Sequence, residues 1–142
     1  MGLEERGFVP GFETYDKMQN ETIKIFEKLT QDYGFLLISV GQAWQNVHTA
    51  APAIELWSNN IRHPGVNGTY LAACVIYSYI FNETPEGSSS LPTFVTKENA
   101  AILQKTAYST VDEYPQQTPK PLKCSILRGT GTIYHYFYLY TQ

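Results

Sequence analysis

The sequence contains few cysteines, and they carry no recognisable pattern. Cys74 and Cys124 are the two cysteines among 142 residues, and no Cys-x-x-Cys spacing is present. This number excludes a framework of several disulfides, and the spacing argues against a cysteine-based metal site. Cys74 lies inside an apolar helical run, so a buried free thiol is the simplest interpretation of it.

Long apolar runs and clusters of basic residues are also absent. No run approaches the roughly 18 residues that a membrane span needs, and residues 1–6 lack the apolar core of a secretory signal. We therefore expect no membrane span and no export signal in the chain, while the compartment stays unspecified. The 10 basic and 13 acidic residues are dispersed and give a net charge of −3, which argues against a nucleic-acid partner.

What the sequence does contain is an apolar content of 43%, enough for the core of one domain. Apolar residues recur at helical spacing from Glu13 to Tyr33, and Gly34 is placed to end that helix. The almost uninterrupted apolar run Phe35–Val40 is typical of a parallel strand covered on both faces. This order predicts an α/β unit.

Three further helices are predicted downstream. A short helix or turn spans Gly41–Ala51, and a helix over Val66–Phe81 is apolar around much of its circumference, so we expect it to be largely buried. Thr96 is placed to cap an amphipathic helix from Lys97 to Tyr114. Its predicted inner face comprises Ala100, Leu103, Ala107, Val111 and Tyr114.

The last 28 residues differ from the rest. Three prolines within residues 115–121 predict an irregular, extended stretch. Ile133–Tyr140 is an uncharged run of high β propensity, which predicts either an edge strand or an aggregation hazard. We therefore divide the chain into a domain of residues 1–114 and an extension of residues 115–142.

The stretch Leu56–Ala73 carries a family resemblance. Its His63-Pro64-Gly65 turn and the following Gly68-Thr69-Tyr70-Leu71-Ala72-Ala73 resemble the last conserved block of SGNH (GDSL-type) ester hydrolases. Weaker similarity in residues 12–44 and 94–104 extends the match over about residues 8–114. The resemblance implies the C-terminal portion of such an enzyme, with a three-layer α/β/α sandwich and a flavodoxin-like parallel sheet. It implies acyl or acetyl esters as substrates, including esters on carbohydrate, and neither cofactor nor metal.

The resemblance assigns roles to two residues. His63 stands where the family has the general base that activates a serine, and Asn60 stands where the family has the aspartate that orients this base. An amide oxygen can accept the hydrogen bond from Nδ1–H but carries no charge. In a serine protease the corresponding Asp→Asn change lowers kcat by about 10⁴-fold, so a site built with Asn60 is expected to be weak.

The nucleophile of the family is missing. The sequence has no Gly-Asp-Ser block and no Gly-x-Ser-x-Gly motif. Ser39 falls inside the predicted strand and Ser58 is merely near His63, so neither is a credible nucleophile. The chain alone is therefore predicted to be inactive, and the alternative is a non-catalytic pseudoenzyme that binds a ligand, or a truncated product.

The remaining candidates receive structural interpretations. His48 and His135 lack the spacing of metal ligands and are predicted to be surface or packing residues. Trp44 and Trp57 are predicted to be core or pocket-wall residues, and Arg62 is predicted to face solvent. A parallel sheet without its first strands would expose an edge, so we also expect self-association.

Overall fold

The computed structural model describes residues 10–58 and 63–114, and this part of the chain is helical. It comprises α1 (Tyr15–Tyr33), α2 (Val40–Ala50), α3 (Val66–Phe81) and α4 (Lys97–Glu113). Within these residues β pairing is confined to isolated bridges, of which an antiparallel one joins Trp57 and Pro64, and there is no strand and no sheet. The predicted α/β/α sandwich with a parallel sheet is therefore wrong, and so is the basis for expecting self-association through a sheet edge. The extension of residues 115–142 lies outside the described residues.

Helix α1 ends at the residue that the sequence predicts and begins two residues after the predicted start at Glu13. The Thr14 side chain accepts a hydrogen bond from the Lys17 N–H at 3.2 Å, which satisfies one of the donors exposed at a helix start. Gly34 adopts the left-handed conformation with φ of 71°, and its N–H donates to the Thr30 carbonyl. This cap confirms the predicted end of the helix, since glycine enters the left-handed region without steric cost.

The predicted strand Phe35–Val40 is wrong, since residues 35–39 form an irregular connection between α1 and α2. Ile38 is buried, and the residues around it are half-buried. Val40 is also buried, but it is the first residue of α2. The apolar run correctly predicts that this segment is at least half-buried. It does not specify a strand, because a short apolar stretch also occurs in other buried segments.

The core lies where α2, α3 and α4 pack against one another, with α1 packed on α2. Its fully buried large side chains include Trp44 of α2, Leu71 of α3 and Leu103 of α4. Helix α3 packs along α4, and both helices contact α2, so the residue that follows Gly65 begins a helix of this core.

Two expectations about buried faces need correction. Helix α3 was expected to be largely buried, yet Tyr77, Ile80 and Phe81 near its C-terminal end are exposed. On α4 the predicted Ala100, Leu103 and Ala107 are buried, but Tyr114 is 43% exposed while the polar Gln104 and Thr110 are buried. Polar residues enter the core here because each finds a hydrogen-bond partner.

No helix of the described part of the chain is long and apolar enough to cross a membrane.

Candidate functional site

The turn that carries His63 is clamped by backbone hydrogen bonds on both sides. The Ser58 N–H donates to the His63 carbonyl at 2.8 Å, and the Gly65 N–H donates to the Leu56 carbonyl at 2.8 Å. These two bonds flank the antiparallel bridge between Trp57 and Pro64. His63 is exposed, so the structure presents its side chain at the surface on a backbone that is fixed directly before α3.

Asn60 lies outside the described residues, as do Asn59, Ile61 and Arg62. The predicted relation between the Asn60 amide and the His63 ring therefore stays a prediction, and so does the solvent exposure expected of Arg62.

Gly65 of the histidine turn and Gly68 of α3 are both required by close packing. A Cβ atom at position 65 would lie 2.5 Å from the Trp57 carbonyl oxygen. A Cβ atom at position 68 would overlap both the Trp44 ring and the Leu56 carbonyl oxygen. The start of α3 therefore approaches the 56–58 segment too closely for any side chain, which explains these glycines by packing alone.

An aromatic cluster packs around Trp57, at the start of the histidine turn. The Trp57 ring makes edge contacts with three other rings, at centroid distances of 5.5 Å to Tyr15, 5.6 Å to Trp44 and 5.2 Å to His48. Tyr15 and His48 also contact each other edge-on, with centroids 5.1 Å apart. Such geometry is favourable for aromatic rings. Trp44 is thus a core residue and His48 a packing residue, as predicted, while Trp57 is half-buried and packs on both.

Tyr15 is the member of this cluster whose role sequence reasoning missed. It is the first residue of α1, yet it is 4% exposed, and burial raises the pKa of its hydroxyl well above the usual value. The Tyr15 hydroxyl and the Trp44 Nε1 are buried without a hydrogen-bond partner among the described residues. The aromatic rings that support the histidine turn therefore exclude water from these two polar atoms.

Asn67 connects α3 to the segment that enters the turn. Its Nδ2 donates to the Glu55 carbonyl at 3.0 Å, and the Glu55 carboxylate accepts a hydrogen bond from the Trp57 N–H at 3.0 Å. The two bonds fix residues 55–57 against the first turn of α3. The imidazole of His63 therefore projects from a turn that is anchored at both of its ends.

The serines considered as nucleophiles are placed as follows. Ser39 directly precedes α2 and is half-buried, so the strand that was given as the reason for rejecting it does not exist. Ser58 is half-buried and pairs with His63 through the backbone, which confirms their proximity. Neither lies in a Gly-Asp-Ser or Gly-x-Ser-x-Gly context.

A second group of hydrogen-bonded polar residues lies between α3 and α4. The buried Gln104 side chain donates to the Tyr70 hydroxyl at 2.7 Å and accepts from the Gly87 N–H at 3.0 Å. These bonds hold the 84–90 loop over a cleft of about 470 Å³ that Cys74 also lines. Cys74 is a buried free thiol, as predicted, and burial raises its pKa, which lowers its reactivity.

Metal binding finds no support in the residues that the structure describes, since no group of three or more His, Cys, Asp or Glu side chains there could hold an ion.

No protein-family model, no curated protein and no solved structure matches the chain.

Proposed function

We propose that this chain carries the histidine part of an SGNH-type serine ester hydrolase, acting on acyl or acetyl esters, including esters on carbohydrate. His63 is the general base in this proposal, and Asn60 is a weakened orienting partner. The serine nucleophile comes from a polypeptide segment outside this sequence, so the chain alone is inactive.

The observation that carries the proposal is the exposed His63 on a clamped turn. A general base must reach a reacting proton within hydrogen-bond distance, and this requires a ring that is accessible on a rigid support. The two backbone bonds around the Trp57–Pro64 bridge and the packing of Gly68 supply this support. The resemblance of the residues from His63 to Ala73 to the family block supplies the chemistry.

In this role the His63 imidazole takes the proton of the serine hydroxyl as its oxygen attacks the ester carbonyl. The imidazolium then returns the proton to the departing alcohol oxygen. Asn60 can accept a hydrogen bond from Nδ1–H but cannot stabilise the positive charge as a carboxylate does. The donors of an oxyanion hole must come from the same segment as the serine, since the family places them in its serine, glycine and asparagine blocks.

Reconstitution tests the proposal. The chain is co-purified with a polypeptide that carries the serine, glycine and asparagine blocks of the family, and hydrolysis of p-nitrophenyl acetate and labelling by a fluorophosphonate are measured. We expect turnover and serine labelling in the complex, both lost in His63→Ala. The matched control is Thr69→Ala, an exposed residue in the first turn of α3, which should leave both signals unchanged.

Two results would overturn the proposal. One is saturable turnover by the chain alone that disappears in His63→Ala, because it would place the nucleophile in this sequence. The other is turnover in the complex that His63→Ala leaves intact, because His63 would then not be the base.

The second candidate is a non-catalytic pseudoenzyme that binds a ligand, or a truncated product. It is favoured by the absence of any serine motif from the sequence. A complex that forms but shows neither turnover nor fluorophosphonate labelling would support this candidate against the first.

A further inference from the structure

A cleft of about 470 Å³ separates α3 from the loop that follows it. One wall is a face of α3 formed by Tyr70, Ala73, Cys74 and Tyr77, and the other wall is the 84–90 loop. The volume lies within the range of about 300–1,000 Å³ that is typical of small-ligand sites. The cleft lies along α3, beyond the histidine turn, so an inference about it does not rest on the proposed ester hydrolysis.

Hydrogen bonds tie the loop region to α3 at the two tyrosines that limit this wall. The buried Gln104 side chain donates to the Tyr70 hydroxyl at 2.7 Å and accepts from the Gly87 N–H at 3.0 Å. The Tyr77 hydroxyl donates to the Glu83 carboxylate at 2.8 Å, just before the loop. The space between these two attachments is therefore part of the fold and is not left by a loose loop.

The α3 wall is apolar and aromatic between its ends. Tyr70 and Tyr77 are seven residues apart, which corresponds to about 10 Å along a helix. Ala73 and Cys74 lie between them, and their small side chains leave the space open. The wall thus offers two phenol rings and an apolar floor to the body of a small organic molecule.

The charge of the cleft is negative. Among the described residues that line it, Glu86 is the charged one, and no Lys, Arg or His is present. None of the ion pairs in the described part of the chain involves Glu86. The Glu83 carboxylate, which is bonded to Tyr77, adds a second negative charge close by. An anion would be repelled here, whereas a cation would find a partner.

The type of cation follows from the rest of the lining. A metal ion is disfavoured, because no group of three or more His, Cys, Asp or Glu side chains among the described residues could hold one. Tyrosine rings attract an ammonium group through their faces, and the apolar floor gains free energy by covering the carbon atoms of a ligand. The lining therefore fits an ammonium group that is attached to an apolar body.

We propose that the cleft between α3 and the 84–90 loop binds a small organic cation, an ammonium group on an apolar or aromatic body. The ammonium group lies beside the Glu86 carboxylate. The body lies over Ala73 and Cys74, between the rings of Tyr70 and Tyr77.

Titration of the isotope-labelled full chain with benzylamine at neutral pH, followed by NMR, tests the proposal. Benzylamine is protonated at this pH, while benzyl alcohol and benzoate are probes of similar shape that are neutral and negative. We expect saturable shifts of the Ala73 and Gly87 amide signals, with a Kd of the order of 1 mM for benzylamine. The other two probes should bind at least about fivefold more weakly, because they lack the positive charge.

Two variants separate the cleft from the rest of the surface. Ala73→Leu fills the cleft and should abolish the saturable shifts, whereas Ala101→Leu, at an exposed position of α4 outside the lining, should not. Glu86→Gln should weaken benzylamine binding by about threefold and leave benzyl alcohol unaffected. Its matched control is Glu27→Gln, the same change on α1 away from the cleft. Circular dichroism verifies that the variants retain their helices, and Glu86→Gln remains informative if Ala73→Leu does not fold.

Three outcomes would overturn the proposal. Equal affinity for benzylamine and benzyl alcohol would show that the cleft does not select a positive charge. Shifts that persist in folded Ala73→Leu, or that are confined to other surfaces, would place the amine outside the cleft. Absence of saturable shifts at the highest soluble concentration of benzylamine would show that the cleft does not bind such a cation.

Discussion

The ring of Trp44 in α2 occupies the space that a side chain at position 68 in α3 would need. Trp44 is fully buried, and the Leu56 carbonyl closes the same space from the other side. The contact joins the helical core to the turn that presents His63. It also means that the glycine of the Gly-Thr-Tyr-Leu-Ala-Ala stretch has a structural function whatever the chain catalyses.

Gly68→Ala should therefore destabilise the protein although alanine favours helices. A methyl group at this position overlaps an aromatic ring and a backbone oxygen, and neither can move without displacing α2 or the turn. Overpacking of this kind costs about 1–3 kcal/mol. Urea unfolding followed by circular dichroism measures the loss.

The control for this prediction is Gly87→Ala, in a loop where no atom lies within 4 Å of the added Cβ but φ is +80°. It should show only backbone strain, about 1 kcal/mol. A Gly68→Ala variant as stable as the unmodified chain would show that Trp44 and α3 do not pack as described.

Tyr15→Phe should protect the protein at alkaline pH. Burial raises the folded-state pKa of Tyr15 above the value near 10 that it has when unfolded. The folded chain thus holds this proton more tightly, so stability is fully present below pH 10 and is lost as the pH rises above it. Near neutral pH the variant should be as stable as the unmodified chain or more stable, because it removes a buried hydroxyl that has no partner among the described residues.

Thermal melts between pH 7 and 11, with tyrosinate absorbance recorded in parallel, measure this effect. Tyr33→Phe is the control, since Tyr33 is 56% exposed. An equal alkaline loss of stability in Tyr15→Phe and in the unmodified chain would contradict the prediction.

Gln104→Leu should release the 84–90 loop. The amide makes hydrogen bonds to the Tyr70 hydroxyl, the Gly87 N–H and the Ser88 carbonyl, and leucine of similar size makes none. The buried hydroxyl of Tyr70 also loses its donor, so the expected cost is about 1–3 kcal/mol. Limited proteolysis should cut the loop faster, which the cleavage pattern on a gel or by mass spectrometry reports.

Gln45→Leu is the matched control for this change. Its amide makes one exposed hydrogen bond to Asp16 at 3.3 Å, so its loss should cost less than about 0.5 kcal/mol. Unchanged proteolysis of the loop in Gln104→Leu would show that this amide does not hold it.

The helices could be predicted from the sequence because capping residues and apolar spacing are local signals. Thr14, Gly34 and Thr96 act as caps where they stand, since each forms its hydrogen bond within four residues along the chain. The apolar period of α3 likewise predicts the observed bounds, Val66–Phe81.

Only part of the candidate site could be predicted from the sequence. His63 could be singled out by its Pro/Gly turn and the following small residues, and the structure shows the turn clamped and the residue exposed. The contribution of Tyr15 could not be read from the sequence, because it reaches the Trp57 ring from a helix more than 40 residues away in the chain.

By itself the sequence determined three helices close to their observed bounds, a helix or turn near the position of α2, and that no serine motif of an ester hydrolase is present. Tertiary structure alone decided that residues 35–39 are a half-buried connection and not a strand, because a strand is defined by its hydrogen-bonding neighbours and not by its own composition. It also decided that Trp44, Leu56 and Gly68 meet beneath the histidine turn. Such contacts join residues from separate elements, so the pattern of any one element cannot specify them.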